Sequence, residues 1–176
     1  MQRQIHIVGT GHHYQFGAEA SFGACKCTHA DADAFVGMLR QLIKQSSIDV
    51  LVEELSQQAL QEIACSRPVV QSLAAELALP HLFCDPNRAE RVSLGIQDEN
   101  EIRARASFKS LPEQEVERRV AKSRDLREEE WWKRITFLDS SRVLLVCGAN
   151  HVSTVSARAA HHGFQATVAH EDWKPS

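Results

Sequence analysis

Short unbroken apolar runs alternate along this chain with longer stretches in which apolar residues recur every three or four positions. Residues 5–8, 50–52, 81–84 and 143–147 are short runs rich in β-branched residues or closed by turn chemistry, and each predicts a strand. Residues 165–169, QATVA, predict a fifth. Their apolar character is continuous, which predicts strands covered on both faces. Between them, residues 31–45 place Phe35, Met38, Leu39 and Leu42 on one helical face, with N-cap candidates just upstream. Residues 57–65 and 69–77 predict two shorter helices split at Pro68, because proline disrupts a helix interior. Asp98 to Glu101 reads as a helix start, its acids favourable near the N-terminal dipole. Residues 113–137 carry Val116, Val120, Leu126, Trp131 and Ile135 within dense charge, which predicts a long helix or a broken pair with a solvated face. Residues 152–162 predict a last helix, stopped by Gly163.

Strands alternating with helices in this order predict an α/β fold, a single domain over residues 1–176 with a mainly parallel central sheet of about five strands flanked by helices. The length of 176 residues suits one substantial core. Hydrophobic residues at 43% and charged residues at 24% set aside disordered and fibrous classes. The net charge of −3, with both signs interleaved, argues against a nucleic-acid partner. No apolar run approaches the roughly 20 residues of a membrane span, and the first one is too short for a signal-peptide core, so no membrane partner and a cytoplasmic location are expected. Five cysteines, an odd number, suit reduced thiols, with Cys65, Cys84 and Cys147 in apolar surroundings. A homodimer stays open.

The chemistry gathers where strands end. Gly9-Thr10-Gly11-His12 follows the first strand and Gly148-Ala149-Asn150-His151 follows the fourth. In a parallel α/β sheet, ligands bind beyond the carboxyl ends of the strands. Glycine there permits backbone conformations that a side chain opposes. If the two strands lie close together, His12 and His151 converge. The second strand runs into Glu53-Glu54, and alternation allows only one of the pair to face a given site, with Glu54 favoured. The third ends in Asp85-Pro86-Asn87-Arg88, adding an acid and a cation.

Two histidines and a carboxylate with open coordination positions suit a catalytic divalent metal, with Mn, Co, Fe and Zn not distinguished. Such an ion lowers the pKa of bound water and polarises a carbonyl, so metal-assisted hydrolysis of a small-molecule or peptide substrate is expected, with Glu53 or Asp85 as reserve carboxylate. Blander alternatives stand beside this. A lone Gly-x-x-His is more often an ordinary turn, and the two in register bring that alternative to even weight. Cys25-x-Cys27-x-His29 lacks the second pair of a closed zinc site. His13, His161 and His162 read as surface or loop histidines, and Trp131-Trp132 as a packing anchor. A binding protein that holds a small ligand or peptide in the same crevice without turnover is the alternative function. A phosphoryl hydrolase is weaker, for want of a Walker-type loop.

GTGH after the first strand, VEEL after the second, FCDPNR after the third, the charged helix LREEEWWKRI and the late VCGANHV together resemble the TraB/Tiki superfamily, to which ChaN-like and erythromycin-esterase-like proteins are distantly related. The motifs of TraB-type members are GTAH, VEL, a strand end containing DR, an R-D-x-x-M helix and a final GxGH. The resemblance covers most of the chain, in the same order. It implies His12, Glu54 and His151 as metal ligands, Glu54 also in catalysis, and Arg127 stabilising an anionic substrate or transition state. Trp131 stands where the family often has methionine. Asp85 and Arg88, candidate substrate contacts, match the acidic-basic strand end loosely, because Pro86-Asn87 separates them. Some relatives are regarded as metal-dependent peptidases and others open a lactone, so the resemblance implies hydrolysis of a peptide or ester bond by a minimal, soluble version of the core.

Overall fold

The computed structural model describes residues 2–18 and 27–175. Its strands are β1 (Arg3–Thr10), β2 (Val50–Glu53), β3 (His81–Phe83), β4 (Arg142–Gly148) and β5 (Phe164–Trp173), and they form one all-parallel sheet in the order β3-β2-β4-β1-β5. All five expected strands form. Every residue of β2 is buried, as are all but the first of β4, which is the burial that continuous apolar runs demand.

The helices described are α1 (His12–Phe16), α2 (His29–Ser46), α3 (Gln57–Glu62), α4 (Val69–Glu76), α5 (Arg88–Leu94), α6 (Glu99–Phe108), α7 (Glu113–Thr136) and α8 (Val152–Arg158). Thr28 and Asp31 close a capping box at the start of α2, and Asn87 and Glu90 do the same for α5. The dense charge of residues 113–137 forms one unbroken helix, α7. The expected last helix is α8 followed by a 3-10 turn, Ala159–His162, before Gly163. Helices α1 and α5 are additions to the expected set. They are too short for a periodic apolar face to reveal them.

Successive strand residues point to opposite faces, so the sheet divides the core in two. Ile5, Ile7, Val50, Val52, Val143, Leu145 and Cys147 pack with Trp131, Trp132 and Ile135 of α7 and Val152 and Val155 of α8. Val8, Leu51, Leu144 and Val146 pack with Phe35, Leu39 and Ile43 of α2 and Val70 and Leu73 of α4. Each fully buried aliphatic side chain of this kind contributes about 1.5–3 kcal/mol. His162 stacks on Trp132, with ring centroids 4.8 Å apart, so it is a packed residue instead of a free surface histidine.

The strand order positions the site. β4 lies between β1 and β2, with Thr10 beside Gly148 and Glu53 beside Val146, so the carboxyl ends carrying His12, Glu54 and His151 are neighbours. The chain winds outward from β1 to β3, returns to insert β4, and finishes with β5 on the other side of β1. The crevice at such a reversal is where ligands of open α/β sheets bind.

Gly9 is required for space. A Cβ on Gly9 would stand 2.1 Å from the Glu171 carbonyl oxygen and 2.4 Å from Val152 Cγ2. Its φ is not positive, and Gly148 has φ −60°, so the conformational freedom expected of these glycines is not what they supply. Gly9→Ala is expected to destabilise the protein by about 1–3 kcal/mol in urea denaturation, because β5 must move away from β1. An unchanged midpoint would show that β5 shifts freely.

Candidate active site at the carboxyl edge

β1 delivers His12 as the first residue of α1, β2 delivers Glu54 just beyond its last paired residue, and β4 delivers His151 through the 3-10 turn Ala149–His151. The three meet. His12 Nε2 lies 3.8 Å and His151 Nε2 3.4 Å from Glu54 Oε1. Glu54 is fully buried, and its Oε2 accepts the Gly148 amide at 2.7 Å. A Cβ on Gly148 would come within 3.2 Å of His12 Nε2 and 3.3 Å of Glu54 Oε2, so glycine at this strand end keeps the cluster close.

Both imidazoles are tied from behind. His12 Nδ1 is 3.2 Å from Gln15 Oε1, one turn along α1. His151 Nδ1 is 2.7 Å from Glu128 Oε1 of α7, which also accepts the Thr154 hydroxyl at 2.7 Å. Trp131 packs against the His151 ring, 4.7 Å between centroids.

Arg127 joins this cluster to the end of β3. Its Nη2 is 2.8 Å from Glu54 Oε1, and its Nε donates to Asp85 Oδ1 at 2.5 Å. Burial opposes the charge on Arg127, and Glu54 and Asp85 more than reverse that, holding the guanidinium pKa above its ordinary value. Asp85 also accepts from Trp131 Nε1 at 3.0 Å and pairs with Arg91. Burial pushes the Asp85 carboxyl up, but Arg127, Arg91 and Trp131 together pull it below its usual value. A depressed carboxylate contributes stability that is present above its unfolded pKa, about 4, and is lost as pH falls through the folded value. Wild type is therefore expected to exceed Asp85→Asn in stability at neutral pH, with the gap narrowing below about pH 4. Urea denaturation across pH checks this, and a gap that stays constant into acid would contradict it.

Two expected site residues are not brought to the cluster. Glu53 points to the opposite face, where its Oε1 meets His81 Nε2 at 2.6 Å, and burial raises its pKa while His81 partly opposes this. Alternation along β2 is the reason. Arg88 is exposed at the start of α5, its backbone amide donating to Gln58. The cation that Asp85 takes from this region is Arg91, one turn further along α5. Cys27 is buried, whereas Cys25 of the considered Cys25-x-Cys27-x-His29 motif lies outside the described residues. Cys84 and Cys147 are fully buried core thiols, their pKa values pushed well up by burial, and Cys65 is half-buried.

Residues that sequence reasoning missed are Glu128, Thr154, Gln15 and Arg91. Glu128 carried a signal: it precedes Trp132 by four positions and Ile135 by seven, so it continues the buried stripe of α7. Leu126, counted as an apolar member of that helix, is instead partly exposed.

The donor set suits a divalent metal in chemistry. Tetrahedral ligands about 2.1 Å from an ion stand roughly 3.4 Å apart, near the two imidazole–carboxylate separations, and metal-ligating histidines are commonly backed by a carboxylate as His151 is. Glu54 and Asp85 are paired with the guanidiniums of Arg127 and Arg91, and Glu128 with the His151 imidazole. Among the described residues, no group of three or more His, Cys, Asp or Glu side chains is placed so that it could hold a metal ion as it stands. Arg127 shares the Glu54 oxygen that an ion would use.

No protein-family model matches the chain, and no match was found among curated proteins or solved structures.

Proposed function

We propose that this protein is a divalent-metal-dependent hydrolase of the TraB/Tiki type that cleaves a peptide or ester bond at the carboxyl edge of its sheet. The observation that carries this reading is the convergence of His12 Nε2 and His151 Nε2 on Glu54 Oε1, with Arg127 beside the same oxygen. His12, Glu54 and His151 would hold the ion. When bound, it supplies Lewis acidity, polarising the scissile carbonyl and making water acidic enough to attack near neutral pH. Glu53 lies on the other face and Asp85 is tied to Arg127, Arg91 and Trp131, so neither serves as the reserve proton-accepting carboxylate. Arg127 commits Nε and Nη2 and keeps Nη1 without a protein acceptor among the described residues, which suits it to a developing oxyanion. His12, with a side chain 35% exposed, stands on the open side where substrate enters.

The substrate is a small molecule or peptide, and the compartment is the cytoplasm. Free thiols at Cys27, Cys84 and Cys147 suit a reducing environment.

The deciding experiment measures metal content by plasma mass spectrometry after incubation with Mn, Co or Zn, together with cleavage of a peptide and ester panel. Near-stoichiometric metal and cleavage, both lost in His12→Ala/His151→Ala, are expected. Absence of metal from wild type and variant alike would overturn the reading. Thermal stabilisation by a small ligand without product would then favour a binding protein.

A further inference from the structure

Glu128 has no place in the residue set that defines the proposed site, yet it is fully buried on a helix otherwise dense with solvated charge. Burying a carboxylate is costly unless it is paired or hydrogen-bonded. Among the described residues, the partners of Glu128 are His151 Nδ1 and the Thr154 hydroxyl, each 2.7 Å from Oε1, while Oε2 is buried with no partner. A carboxylate has no proton to give, so Oε1 is the acceptor toward the imidazole and His151 Nδ1 donates. The proton of a neutral His151 is then on Nδ1, and the lone pair is on Nε2, the atom that faces Glu54. Ring orientation is set at the same time, because Trp131 packs on one side of the imidazole and the Glu128 contact removes its remaining freedom to turn.

We infer that Glu128 is a positioning residue for His151, holding it in the Nδ1–H tautomer with its Nε2 lone pair directed into the site. The two histidines are consequently unequal. His151 is backed by a carboxylate and 10% exposed, whereas His12 is backed by the amide of Gln15 and 35% exposed. The helix geometry makes this economical: Arg127 and Glu128 are consecutive, so their side chains diverge by about 100° around α7. One reaches the ends of β2 and β3, and the other reaches the turn after β4.

The inference deepens the hydrolase reading, and its test separates the two. Long-range proton–nitrogen NMR on metal-free wild type, at a pH where imidazoles are neutral, reports the tautomer of each histidine directly. His151 is expected as Nδ1–H, and an Nε2–H signature there would overturn the inference whatever the variants do. In Glu128→Leu, His151 is expected to lose that signature while His12 keeps its own. If this variant fails to fold, Glu128→Gln keeps an acceptor at the same position and is expected to retain the Nδ1–H tautomer. Zinc titration is the second arm. Loss of the carboxylate is expected to weaken zinc binding about 10–100-fold, as outer partners of ligating histidines commonly do. Zinc binding of unchanged strength in Glu128→Gln and Glu128→Leu would overturn the positioning role and leave the metal reading standing. Failure of wild type to bind zinc would remove the metal reading, and the tautomer result would still decide the role of Glu128.

Discussion

Replacing Arg127 with leucine is expected to cost about 3–5 kcal/mol of folding stability, the usual consequence of removing one partner from a buried ion pair. The guanidinium bridges two carboxylates, Glu54 and Asp85, whose side chains are 0% and 3% exposed. Their remaining partners are unequal. Asp85 keeps Arg91 and the Trp131 indole, so it stays compensated. Among the described residues, Glu54 keeps only the Gly148 amide as a close donor, and its histidine neighbours stand at 3.4 and 3.8 Å. The destabilisation should therefore arise mainly at the end of β2. Arg127→Lys retains a charge but not the planar fork that reaches both acids, and an intermediate loss is expected. Urea denaturation of the three proteins measures this. A loss below about 1 kcal/mol in Arg127→Leu would mean that the pair behaves as an exposed bridge, with solvent reaching Glu54.

Glu54→Gln is the second large effect, and it acts on function and fold together. The two oxygens of Glu54 both face donors: Oε1 faces Arg127 and Oε2 the Gly148 amide. A glutamine must place its NH2 toward one of them, so either Arg127 or the Gly148 amide loses its acceptor. An unsatisfied buried group of this kind costs about 1–3 kcal/mol. The charge removed is also the one that both imidazoles face, so metal affinity is expected to fall by on the order of 100-fold or more, because a neutral amide is a far poorer ligand than a carboxylate. Calorimetric zinc titration together with thermal unfolding separates the two losses. Zinc affinity equal to wild type in a folded Glu54→Gln would remove Glu54 from the ligand set.

The strands were legible because each needs a local run of apolar residues, and a local run is what a sequence displays. The same logic favoured Glu54 over Glu53: alternation along β2 sends adjacent residues to opposite faces, and the structure places Glu53 against His81. Helix α5 was not legible. Seven residues with no buried member carry no apolar period, and the Asn87–Glu90 capping box that starts it was the signal available. Glu128 was hidden by its neighbours, because a run of three glutamates reads as solvated surface unless each is placed on the helix by its spacing to Trp132 and Ile135.

The sequence by itself determined the alternation of strands and helices, the parallel α/β class, and the placing of His12, Glu54 and His151 at strand ends. These follow from periodicity and turn chemistry, which act over a few residues. Only the tertiary structure decided that these ends are neighbours, because strand order depends on how β4 inserts between β2 and β1, a pairing between residues some 90 and 140 positions apart in the chain. It also decided that Arg91 instead of Arg88 meets Asp85, and that Glu128 stands behind His151. Such contacts come from where whole elements pack, and no local pattern records which buried charge will find which partner.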